Sequence, residues 1–181
     1  MREGTVRASV VGKLGRLRIY IYLVLLLLYL AAYFLGYAVK PGPQFASQVN
    51  QQLEQANSEI NKLSSISQIA VFSYKLTSLM ATLGPSLIPV FGIWNTAENW
   101  VYSGIATNAV SSMYATSIMA QTILLSIILA IPSADGLLMI LLLANSLSNR
   151  EFKYYTVLSL RWYIMSVILS IVFLILITAL P

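Results

Sequence analysis

Apolar residues run without a charge from Ile19 to Val39. At about 1.5 Å per helical residue this is enough to cross a hydrocarbon core of about 30 Å. Five tyrosines punctuate the run; the outer ones suit headgroup depth, and Tyr29 and Tyr33, one turn apart, are expected to meet another helix. Lys40-Pro41-Gly42-Pro43 then stops it, because proline lacks the backbone donor a helix interior needs. From Gln44 to Ser65 the pattern changes to an amphipathic one. Val49, Leu53, Ala56, Ile60 and Leu63 recur at alternating spacings of four and three, against a face rich in Gln and Asn. This seam predicts an external helix that either pairs with a partner subunit or lies on its own membrane domain.

The apolar stretch Ile66 to Trp94 is interrupted by Lys75, Gly84-Pro85 and Pro89, and predicts a kinked span. Asn95 to Gln121 is less lipid-like. Asn99, Ser103, Thr107, Ser111 and Ala115 form an i, i+4 stripe of small or polar side chains, which predicts a helix packed closely among others. Thr122 to Ile131 continues it and Pro132 is expected to end it. Ser133 or Asp135 can then cap a further helix, Gly136 to Ser148. The last span runs from about Tyr163 to Leu180.

Charge orients these elements. Eight of the eleven basic residues fall in two groups: Arg2, Arg7, Lys13, Arg16 and Arg18 before the first span, and Arg150, Lys153 and Arg161 before the last. Lys and Arg beside span ends are retained on the cytoplasmic side. The N-terminus is therefore expected inside and the C-terminus outside, with about five crossings between them. The expected fold is an all-α polytopic membrane protein with a kinked or re-entrant central region and one external amphipathic helix. Its expected divisions are a basic segment 1–18, an anchor 19–39, the external helix 40–65 and a multi-span domain 66–181. The run at 19–39 exceeds the length of a signal-peptide core and reads as an uncleaved anchor.

Composition supports the membrane class. Of 181 residues 58% are hydrophobic and only 9% charged, against about 25% charged in soluble domains. The net charge of +5 is juxtamembrane, so anionic lipid and not nucleic acid is the expected partner. The chain has no Cys and no His, which removes thiolate and imidazole chemistry. The six carboxylates are scattered, and no cofactor, metal site or catalytic pair is expected. Inside the membrane Lys75, Glu98 and Asp135 are the candidate polar or ion-paired residues. A charge at mid-span costs at least about 2.5–3.5 kcal/mol and demands a partner or a route to water. Asn95 or Thr96 with Glu98 could also form a capping box.

Phe72-Ser73-Tyr74-Lys75, Leu79, Gly84-Pro85, Phe91-Gly92, Asn95-Thr96, Ile131-Pro132 and Ala144 together resemble the stage II sporulation protein M family over about residues 66–147. The resemblance implies a polytopic helical domain that works with envelope partner proteins. The family's paired asparagines would fall near Ser73 and Tyr74, and its acidic residue after the proline near Leu137, so a role resting on that acid does not transfer. Two functions are expected from the whole pattern. The first is a non-catalytic membrane subunit or scaffold, associating with protein partners or with further copies of itself. The alternative is a small channel or transporter component using the Gly84/Pro85/Pro89 break with Lys75 and Glu98.

Overall fold

The computed structural model describes residues 2–148 and 152–179; Arg150 and Glu151 of the second basic group and Leu180 lie outside the described residues. The described residues are helical nearly throughout, in the order α1 (Arg2–Ala38), α2 (Pro43–Ser64), α3 (Gln68–Leu83), a 3-10 turn (Gly84–Leu87), α4 (Phe91–Ala109), α5 (Ser112–Ser148) and α6 (Lys153–Ala179). Three stretches are long and apolar enough to cross a membrane: Val10–Ala38, Tyr114–Leu147 and Lys153–Ala179. The chain is thus an all-helical protein suited to a membrane.

The helices depart from the expected pattern in two places, each with a physical cause. Pro132 does not end a helix. It sits buried inside α5, which runs on to Ser148 as a single helix of 37 residues. A proline leaves the carbonyl four residues earlier without its helical donor, and here that is Ile128. The Ser170 hydroxyl of α6 donates to the Ile128 carbonyl at 3.3 Å, so a neighbouring helix supplies the lost bond. Ser133 and Asp135 consequently cap nothing. The Ser133 hydroxyl donates to the Leu129 carbonyl and accepts from the Tyr29 hydroxyl.

The second departure lies at 66–109. Here α3 and α4 fold back on each other about the 3-10 turn. The start of α3 lies by Thr178 and Ala179, at the end of α6, and the end of α4 lies by Tyr37 and Val39, at the end of α1. The turn between them lies at the level of Asp135 and Trp162, where the Tyr163 hydroxyl donates to the Leu87 carbonyl at 2.5 Å and Pro89 faces Gly136. Helix α4 starts at Phe91, so Asn95, Thr96 and Glu98 lie inside it and form no capping box. It stops at Ala109, with extended backbone at Val110. The stripe from Asn99 to Ala115 is therefore not one helical face: Ser111 is exposed in the link and Ala115 belongs to α5.

The core gathers where α1, α4, α5 and α6 meet, around Leu25, Tyr29, Tyr33, Leu83, Trp100, Leu129, Ala130 and Leu174. Gly36 and Gly104 let α1 and α4 touch backbone to backbone. A methyl on Gly104 would overlap the Tyr33 carbonyl, and one on Gly36 the Val101 carbonyl. A second cluster, Leu14 with Leu138 and Leu142, is covered by Phe152, Tyr155 and Trp162. It brings the basic part of α1 to the start of α6, so Lys13, Arg16, Arg18, Lys153 and Arg161 share one end of the bundle. Helix α2 covers the opposite end. Its seam residues Val49, Leu53, Ala56, Ile60 and Leu63 are half-buried while nearly all its other positions are exposed, so the seam faces the chain's own body.

Candidate functional site

Four arrangements combine polar chemistry with a defined place in the fold. At the basic end, Asp135 has a fully buried side chain in α5 and forms a two-pronged ion pair with Arg18 of α1. The Arg18 Nη2 to Asp135 Oδ2 distance is 2.8 Å, and the guanidinium lies 5.3 Å from the centre of the Trp162 ring. The planar fork of arginine matches a carboxylate and stacks on an aromatic face, so one side chain ties α1 to α5 and α6. The sequence missed this pair because Arg18 reads as a headgroup anchor, and 117 residues separate it from Asp135.

At the same level, the link from the 3-10 turn to α4 is strained. Val90 has φ 65° and ψ −57°, and the Phe91 amide donates to the Pro89 carbonyl at 2.7 Å. This is a γ-turn with positive φ at its centre, a conformation that is rare and costly for a β-branched residue. Beside it the Asn95 amide donates to the Ser86 hydroxyl at 2.9 Å, which binds the turn to the start of α4.

On the flank of α4, Glu98 is exposed in a shallow hollow with Trp94, Ala97, Val101 and Tyr102. Trp94 is 71% exposed and Tyr102 54%. Along α4, Glu98 falls between Thr96, beside the Tyr29 hydroxyl, and Val101, against Gly36. Both α1 residues lie inside its apolar stretch Val10–Ala38. Lys75 is elsewhere, half-buried in a groove with Gln68, Phe72 and Thr178 near the α2 end. The structure therefore does not bring Lys75, Glu98 and Asp135 together.

Beneath α2 lies a cavity of about 560 Å³ between α2, α4 and α5, touched by Thr82 of α3. Gln48, Val49, Gln52 and Leu53 line it from α2, so two of the seam residues form its roof. Asn99 and Ser103 line it from α4, and Gln121 and Thr122 from α5. The first two positions of the polar stripe thus face a cavity and not a helix interface. Thr107, the third, is buried, donating to the Ser103 carbonyl at 2.7 Å and accepting from the Tyr33 hydroxyl at 3.2 Å. Near the end covered by α2, the side chains of Asn50 and Asn108 donate to backbone carbonyls at the ends of α4 and α1.

Among the described residues no group of three or more acidic, Cys or His side chains could hold a metal ion. No protein-family model, no curated protein and no solved structure matches the chain.

Proposed function

We propose that this chain is a non-catalytic, multi-pass membrane subunit that associates with a further membrane helix, from another protein or a second copy, on the outer flank of α4. Glu98 carries this reading. It is exposed on the side of the molecule at the depth of the apolar stretch of α1, where an uncovered charge costs at least about 2.5–3.5 kcal/mol. A neighbouring helix offering a donor or a cation removes that cost. The exposed rings of Trp94 and Tyr102 on either side are the residue types that anchor such interfaces.

The topology proposed with it has three crossings by long single helices, α1, α5 and α6, with α3 and α4 as a hairpin that enters from the α2 end and turns at the level of the Arg18–Asp135 pair. The shared end of Lys13, Arg16, Arg18, Lys153 and Arg161 supports a cytoplasmic N-terminus and an external end for α6. The Tyr163 and Asn95 bonds hold the turn against α6 and the start of α4. This reading stands on Glu98 and does not need the resemblance to the stage II sporulation protein M family.

A photo-crosslinking residue in place of Trp94, activated in native membranes, tests it. The expected product is one discrete adduct, lost when Glu98→Leu is added. Absence of any adduct, together with solute flux in vesicles that Lys75→Met abolishes, would replace the subunit reading with a transport one.

A further inference from the structure

We infer that the cavity beneath α2 is a binding site for an uncharged polyhydroxyl group, presented as a free sugar or as the headgroup of a neutral glycolipid. Its volume, about 560 Å³, lies within the range of about 300–1,000 Å³ typical of small-molecule sites. No Lys, Arg, Asp or Glu lines it, so nothing there selects an ion or repays the desolvation of one. What lines it instead is a set of neutral groups that both donate and accept. Gln48, Gln52, Asn99 and Gln121 contribute amides, and Ser103 and Thr122 contribute hydroxyls. A carboxamide presents a donor and an acceptor side by side, the pattern that adjacent hydroxyls of a sugar complement. The aromatic rings of Phe45, Trp100 and Tyr102 complete the wall, giving apolar faces against which the C–H side of a sugar ring packs.

The cavity runs along α4 from Ala106, toward the end covered by α2, inward to Asn99, and Trp100 forms part of its wall and reports on its contents.

The test uses the full-length protein with Trp94→Phe and Trp162→Phe, leaving Trp100 as the one tryptophan of three. The protein is purified without sugar-based detergent and placed in phosphatidylcholine nanodiscs. Trp100 fluorescence is then followed while maltose is added, or while a neutral diglycosyl diacylglycerol replaces part of the lipid. A saturable shift with maltose identifies a free-sugar site; a shift with the glycolipid alone identifies a headgroup site. Either should weaken about tenfold in Ser103→Leu and in Gln121→Leu. Gln121 is exposed at the rim, so that variant reads binding even if Ser103→Leu misfolds. No response to either probe, an equal response to phosphatidylglycerol, or an unchanged affinity in the folded Gln121→Leu variant would overturn the inference.

Discussion

Pro132 and Ser170 are a compensating pair at the scale of single residues. The proline removes one donor from α5, and a hydroxyl on α6 restores a bond to the orphaned Ile128 carbonyl. A neutral hydrogen bond of this kind contributes about 0.5–1.5 kcal/mol. Ser170→Ala should therefore destabilise the protein by about 1 kcal/mol, and by clearly less when Pro132→Ala has already returned a backbone donor to Ile128. Unfolding of the four proteins of that cycle, in one detergent, measures the coupling; equal losses in both backgrounds would deny it. The Arg18–Asp135 pair predicts an asymmetry. Asp135 is fully buried whereas Arg18 is about one-third exposed, so Arg18→Met strands a charge that cannot reach water. It should cost about 3–5 kcal/mol. Asp135→Leu should cost less, because the released arginine can extend toward solvent or headgroups. The double variant should recover much of the loss in the same unfolding measurement. Neither pair is visible as a pattern: each joins residues on different helices, and only packing sets their distance.

Among the elements, the paired helices α3 and α4 hold the strained turn. A positive φ at a non-glycine residue costs about 1–3 kcal/mol, and glycine adopts it freely. Val90→Gly should therefore raise the unfolding midpoint, with a gain of about 1 kcal/mol; an unchanged or lowered midpoint would show that the turn stores no such strain. For the proposed topology, cysteines at Gln55 and Ser111 should react with water-soluble thiol reagents from the same outer side; labelling of the two from opposite sides would overturn it. The two helices show why an apolar run does not by itself define a span. Residues 66–94 are apolar enough to suggest one, yet Gly84, Pro85 and Pro89 fall where a reversal is cheap. The reversal is then held by the Asn95–Ser86 and Tyr163–Leu87 bonds.

For the whole molecule, the sequence alone determined the membrane class, the all-helical composition, the C-terminal end of α1 and the amphipathic face of α2, whereas α1 itself begins at Arg2, within the segment read as a basic arm. These follow from local quantities: an uninterrupted apolar length, two prolines at a helix end, and a repeat of three and four. The grouping of Lys13, Arg16 and Arg18 with Lys153 and Arg161 was legible too, since each flanks an apolar run. The tertiary structure decided which of the runs form single long helices, and where the polar residues go. Pro132 reads as a stop until a hydroxyl from another helix is placed beside Ile128. Asn99 and Ser103 read as part of a packing stripe until the close approach is seen one residue further round, at Gly104, leaving those two against a cavity. Asp135 reads as a cap until Arg18 reaches it. Local periodicity fixes what a helix is; which groups can leave water, and at what cost, depends on the neighbours that only the folded bundle provides.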